Sequence, residues 1–273
     1  MASATTPPAG WRRAARGSPC STSTAPPPSA PPRSSAATPW RSASTSATPP
    51  RSRAVATVVE RLGGIDVVIA NAGIEPPPAT MLSVDPAEFD RVLAVNLHGV
   101  WNTVKPTLPH VVARRGHVVI VASAYAFMNG AMAAPYAISK AAVEQLGRAL
   151  RSELAPHGAS AGVAYFGFID TDLVRRAFAS EVVGAARRAL PGWLTRPIEV
   201  GRAGEAIARG VERRSARMTA PGWVAPASVL RGVIAGLDGV LARDRRMHEA
   251  IRLAESATPA AVDPPPGVET RTG

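Results

Sequence analysis

The first 54 residues contain no leucine, isoleucine, valine or phenylalanine, and no aspartate or glutamate; Val55 and Glu60 are the first aliphatic and the first acid. Eleven of the chain's 27 prolines fall in the same stretch. Such a segment cannot bury enough apolar surface to offset the entropy of ordering it, so residues 1–53 are expected to form a disordered Pro/Ser/Arg-rich arm. Cysteine is nearly absent: Cys20 is the only one, which excludes a disulfide framework and a cysteine metal site, and no metal is expected. No apolar run approaches the roughly eighteen residues of a membrane-spanning helix, and no signal peptide is apparent, so a soluble cytoplasmic protein is expected. The net charge of +11 would ordinarily point to nucleic acid. Seven arginines lie in the acid-free arm, however, which leaves 24 − 20 = +4 for the rest, and no nucleic-acid partner is expected.

Beyond residue 54 the patterning changes. Ile65-Asp-Val-Val-Ile-Ala70 and Gly116-His-Val-Val-Ile-Val-Ala-Ser123 are short β-branched runs of the kind buried in parallel sheets, and Ala161-Gly-Val-Ala-Tyr165 is a third. Asp85 as N-cap, Pro86 at the first helical position and Glu88 completing a capping box open a helix that carries Asn96. A second long helix runs from Tyr136 to about His157. Glu199 to Arg213 reads as a further amphipathic helix, and Arg217 to Pro221 as a short edge strand ending in proline.

Chemistry concentrates at three of these places. Ser123 falls at the carboxyl end of a strand, where open α/β sheets place their ligands. Tyr136 follows thirteen residues later, and Lys140 stands four residues beyond it on the same helical face. An ammonium so placed favours the phenolate and lowers a pKa that ordinarily sits near ~10, toward the range a general acid/base needs.

Asn71-Ala-Gly73, Asn96, Ser123 and Tyr136-x-x-x-Lys140, in this order, resemble the short-chain dehydrogenases/reductases over roughly residues 54 to 221. The resemblance implies a doubly wound α/β, Rossmann-like parallel sheet and hydride transfer between a nicotinamide cofactor, NAD or NADP, and a carbonyl or secondary alcohol. It makes Tyr136 the acid/base and lets Lys140 hold the nicotinamide ribose. Ser123 would bind the substrate oxygen, and Asn96 would organise a water-linked proton relay. Asn71, Ala72 and Gly73 would line the cofactor, as would Ile169 and Thr171 at the nicotinamide carboxamide. For Asn96 a core asparagine satisfying backbone groups is an equally physical role. The family is commonly oligomeric, so a homo-oligomer acting on a small-molecule substrate is expected.

Two departures stand against this pattern. Phe166-Gly167 replaces the family's Pro-Gly, so either the loop is looser or the ring fills the pocket. The opening strand and glycine-rich turn, whose amides cradle the cofactor pyrophosphate, are missing, so the fold is read as lacking its first βαβ portion. A transit peptide would also be Arg- and Ser-rich, but it needs aliphatic residues. A reading-frame error before Val55 accounts for more. With TCN serine codons, the frame made from the last base of each codon and the first two of the next turns Ser21 to Thr24 into an acidic–apolar–acidic alternation. An acid at that strand end would accept the ribose hydroxyls and repel a 2′-phosphate, which favours NAD over NADP.

The expected organisation is therefore the arm 1–53, a catalytic core 54–225, a helical extension 226–258 and a disordered tail 259–273. Leu173 to Trp193 falls where the family places a mobile substrate-covering segment. Phe178, Val182, Val183, Leu190 and Trp193, with Phe127, Met128 and Met132, suggest an apolar pocket, although core packing explains them as well. In the extension, Val229, Leu230, Val233, Ile234, Leu237, Val240 and Leu241 recur at helical spacing; packing on the domain or a subunit contact is favoured over a membrane-surface helix.

Overall fold

Residues 50–257 are described by the computed structural model. In chain order, α1 (Pro50–Leu62) leads into β1 (Val67–Ala70) and then α2 (Pro86–Leu93). A π-helical turn, Ala94–His98, joins α2 to α3 (Gly99–Ala113), followed by β2 (His117–Val121). The long helix α4 (Ala134–Leu154) precedes β3 (Ser160–Phe166), α5 (Asp172–Phe178), α6 (Glu181–Arg188) and α7 (Gly192–Thr195). Helix α8 (Val200–Glu212) and strand β4 (Arg217–Ala220) lead to α9 (Val224–Val229), α10 (Arg231–Gly236), α11 (Asp238–Leu241) and α12 (Arg245–Ala257).

The four strands form one parallel sheet in the order β1-β2-β3-β4, with Val68 opposite Val118, Val118 opposite Ala161 and Val163 opposite Arg217. The β-branched runs become strands because both faces of the central pair are buried; every residue of β2 is inaccessible. On one face Val68, Val118, Ile120, Ala161 and Val163 pack beneath α3 and α4. Helix α4 rides close on the sheet: a Cβ at Gly147 would lie 2.5 Å from the Val163 side chain, so only glycine fits there. On the other face Val119, Val121, Ala164, Phe166, Met218 and Ala220 meet Ala203 and Ile207 of α8. Each fully buried valine or isoleucine contributes about 1.5–3 kcal/mol. At β1 that second face is bare, with Val67 and Ile69 39% and 45% exposed.

Two local expectations need correcting. Asp85 caps α2 by accepting from the Ala87 N–H at 2.9 Å, but Glu88 does not close the box. It pairs instead with Arg91 at 2.6 Å, one helical turn along, where a guanidinium offers a stronger partner than a backbone amide. The stretch after Pro221 is four helices, of which α12 packs on α6 through Met247, Ala250 and Ala254. Val229, Leu230, Val233, Leu237 and Val240 do not pack on the domain; each is more than half exposed. The extension is fastened by Arg231, which meets the buried Glu144 of α4 at 2.7 Å.

Pro50 to Arg53, expected in the disordered arm, instead form the first turn of α1; the rest of the arm, its glycine turn and acid, and the expected tail lie outside the described residues. Among the described residues no helix is long and apolar enough to cross a membrane.

Candidate active site

Strand β2 delivers Ser123 two residues past its end. The side chain caps a short 3-10 turn, Ala124–Ala126, accepting from the Tyr125 N–H at 3.2 Å and donating to the Phe166 carbonyl at 3.3 Å. Tyr136 lies in the first turn of α4, and the Tyr125 ring stands edge-on to it at 5.8 Å. One turn on, the buried Lys140 donates from Nζ to the Val121 carbonyl at 3.1 Å and lies 5.4 Å from the centre of the Tyr136 ring.

Asn96 stands behind these groups, fully buried in the π-helical turn, a geometry that occurs often at functional sites. Its amide oxygen accepts from Ile74 N–H at 2.8 Å, and its amide nitrogen donates to the Ile74 carbonyl at 2.9 Å and to Ser139 Oγ at 3.0 Å. Ser139 in turn donates to the Tyr136 carbonyl at 2.7 Å. The backbone-satisfying role of Asn96 is thus directly present, and it ties the segment after Gly73 to the helix of Tyr136. Space is tight at Gly73: a Cβ would sit 3.3 Å from Lys140 Nζ and 3.4 Å from Asn96 Oδ1, so a side chain there would press on both groups.

The electrostatics differ from the expectation drawn from spacing alone. Burial and the nearby Glu75 carboxylate push the Tyr136 hydroxyl well above its ordinary value of 10, and a hydrogen bond to Ser123 only partly opposes them. Tyr125 is pushed up to about 12 for the same first two reasons. Lys140 is pulled down from 10.5 to about 8 by burial, which still leaves it mostly protonated at neutral pH.

Ser123 and Tyr136 sit where two cavities meet. A groove of about 730 Å³ runs along the strand ends and is lined by Asn71, Ala72, Gly73, Ser123, Tyr136, Lys140, Ile169 and Thr171. Every expected site residue except Asn96 is in that wall. Thr171 also caps α5, accepting from Val174 N–H at 3.4 Å. On the other side, a chamber of about 140 Å³ is lined by Ser123, Tyr125, Tyr136, Met128, Met132, Leu190 and Trp223 among others, with Glu75 its only charged side chain. It opens toward a wider cavity of about 510 Å³ that takes in Phe178, Val182 and Val183. Phe127 and Trp193 are not in these walls: Phe127 packs on Tyr165, and Trp193, 62% exposed, stands against Trp223. Phe166 resolves the open question of its ring. It ends β3, packs beneath α8 and forms part of both walls.

A sequence profile of the short chain dehydrogenases matches residues 40–182. The chain belongs to the short-chain dehydrogenase family. A putative short-chain type dehydrogenase/reductase of Mycolicibacterium smegmatis is 38% identical over 105 residues, covering 36% of each chain. The cis-4-hydroxycyclohexanecarboxylate dehydrogenase of Sinomonas cyclohexanicum is 34% identical over 154 residues, covering 55% of this chain and 62% of that one. Matches to the first curated relatives span 36 to 45% of those relatives' lengths. Among solved structures, a short-chain dehydrogenase from Streptomyces avermitilis superposes with a TM-score of 0.56 at 23% identity, over 69% of this chain and 73% of that one. A gluconate 5-dehydrogenase from Burkholderia cenocepacia, in complex with NADP and tartrate, gives 0.57 at 23% identity, over 65% and 71%. The chain shares its Rossmann-like α/β fold with these solved structures. The short-chain dehydrogenases are oxidoreductases dependent on NAD or NADP.

Two residues of this site were not singled out from sequence. Tyr125, two places after Ser123, and Glu75, the first acid after Asn71-Ala-Gly73, both line the chamber. For Glu75 the signal was there, in an isolated acid followed at once by three prolines.

Proposed function

We propose that the protein catalyses hydride transfer between a nicotinamide cofactor and the carbonyl or secondary alcohol of a small, largely apolar substrate, with Tyr136 as acid/base. The observation that carries this reading is the position of Ser123 and Tyr136 at the junction of the long groove and the apolar chamber. The cofactor, when bound, accepts or donates the hydride.

The residues fit its nicotinamide and ribose half. Gly73 leaves the room a side chain would fill, and Lys140 brings an amine to the groove wall. Lys140 would hold the ribose, and Ile169 and Thr171 would face the carboxamide. On the substrate side, Ser123 exchanges its bond to the Phe166 carbonyl for one to the reacting oxygen. Tyr136 takes the proton of an alcohol during oxidation or supplies it to a carbonyl during reduction. Apolar walls exclude water from both steps. Asn96 acts from behind, fixing Ile74 and, through Ser139, the first turn of α4. The cofactor is NAD or NADP, with NAD favoured by the frame argument and NADP present in two similar solved structures.

A second reading is favoured by one specific feature. Val67 and Ile69 on one face of β1 are uncovered, and residues 1–53 have no composition from which a glycine-rich strand could be built. A chain of the present sequence could therefore be a non-catalytic binding or scaffold protein that keeps the fold. Titration with NAD(H) and NADP(H), followed by nicotinamide absorbance with a panel of secondary alcohols, separates the two: turnover that disappears in Tyr136→Phe supports the enzyme, and absence of cofactor binding supports the scaffold. Resequencing the gene upstream of the Val55 codon decides whether the frame is at fault.

A further inference from the structure

Glu75 is the one charged residue in the wall of the inner chamber, and no hydrogen bond or ion pair engages its carboxylate among the described residues. Its backbone is unusually fixed. Asn96 binds both the N–H and the carbonyl of Ile74 immediately before it. Pro76, Pro77 and Pro78 follow, each locking φ and removing a donor, and the Ala79 N–H then ties the segment to the Met132 carbonyl at 3.1 Å. The backbone that carries the carboxylate is thus held in place on both sides. Burial makes its charge costly, as the upward shift of its pKa reflects, and its charge in turn opposes ionisation of Tyr125 and Tyr136. In the wider cavity Arg91, Arg176 and Arg187 share the wall with it, but none of the three pairs with Glu75: Arg91 meets Glu88, and the Arg187 guanidinium lies over the Phe178 ring at 3.8 Å. Glu75 is thus a half-buried acceptor without a protein donor, set beside the reacting groups, and a donor that arrives with the ligand and displaces water from it would find a partner there.

We propose that Glu75 determines specificity by accepting a hydrogen bond from a donor on the substrate, a second hydroxyl or an ammonium set apart from the reacting carbinol, and by turning away ligands that bring a carboxylate into the inner chamber. The inference rests on the reading of this chamber as the substrate site. It defines the substrate class more narrowly than "apolar": a hydrocarbon body with one reacting oxygen and one further donor.

Calorimetric titration of the full chain and of Glu75→Gln with four alcohols of one ring size tests it without requiring turnover. The probes are cyclohexanol, cyclohexane-1,4-diol, 4-aminocyclohexanol and 4-hydroxycyclohexanecarboxylate. The wild-type chain should bind the diol and the amino alcohol about tenfold or more tighter than cyclohexanol, and the carboxylate more weakly, as expected for one charge-assisted hydrogen bond. In Glu75→Gln the amino alcohol should lose its advantage, the diol should keep part of its own, and the carboxylate should recover. Where cyclohexanol binds both proteins but the ranking is the same in each, the role of Glu75 is overturned while the chamber stands. Where none of the four binds, the chamber is not the substrate site and the inference falls with it.

Discussion

The centre of the sheet and its β1 edge are built from the same kind of residue and end in opposite conditions. Val119 and Ile120 of β2 are wholly buried, sealed by helices on both faces, whereas Val67 and Ile69 of β1 keep 39% and 45% of their surface. Four parallel strands with β-branched residues on both faces require cover on both, and only β2, β3 and β4 receive it on the α8 side. The proton-handling groups all depend on the covered region. The region that grips the cofactor phosphates in proteins of this family has no counterpart among the described residues. Among the described residues the chain thus holds the proposed proton-handling groups without a counterpart of the cofactor-phosphate grip.

Changes at the covered centre should have the largest effects. In any preparation that turns over, Tyr136→Phe should lower kcat by about 10²–10⁴-fold with cofactor affinity nearly unchanged, because only the hydroxyl moves the proton. Wild-type turnover in that variant would remove Tyr136 from the mechanism. Lys140→Ala should lower both turnover and cofactor affinity, which separates a ribose contact from a purely electrostatic role.

A stability pair sharpens the same comparison. Ile120→Ala should cost about 2–5 kcal/mol in denaturant unfolding, and Ile69→Ala about 1 kcal/mol or less. Equal costs would mean that β1 is covered in solution by a second copy or another segment. Replacing Val67 and Ile69 by threonine should also raise the soluble fraction, since exposed apolar strands template association.

The smallest expected effect is a pH slope at the opposite end of the sheet. Burial, with Arg214 and Arg151 nearby, pulls His117 from its ordinary 6.5 down to about 4. Between those values the unfolded chain binds the extra proton and the folded one does not, so stability rises with pH there and is lost as pH falls. His117→Asn should flatten that part of the stability–pH curve.

Much of this was legible in the sequence because local rules and global packing agree. Gly116 to Ser123 could be read as a strand because its β-branched run is buried on both faces, and Tyr136 and Lys140 could be placed on one face because a helix fixes that spacing. The failures have physical causes too. Glu88 had two partners within reach, and composition does not say which one wins. The Tyr136 pKa depends on burial and on Glu75, a neighbour 61 residues away in the chain, and i to i+4 spacing carries neither. The apolar stripe from Val229 to Val240 has a helical period, but period does not show whether anything covers it. Phe166 was read as a loop residue, yet it pairs with Ala220 and belongs to the strand.

The contact between Arg231 and Glu144 bears on how far the chain can be shortened from its carboxyl end. Glu144 lies in the middle of α4, the helix that carries Tyr136 and Lys140, and it is almost sealed from water. Its other basic neighbour, Arg148, is 3.7 Å away and largely solvated. A version ending at Val229 would leave Glu144 without Arg231, in the helix that carries the proposed acid/base, whereas one ending after Gly236 would keep that counter-ion but lose α12 and its packing on α6. The exposed apolar stripe is therefore better made polar by substitution at Val233, Leu237 and Val240 than trimmed, since shortening the chain removes either Arg231 or α12.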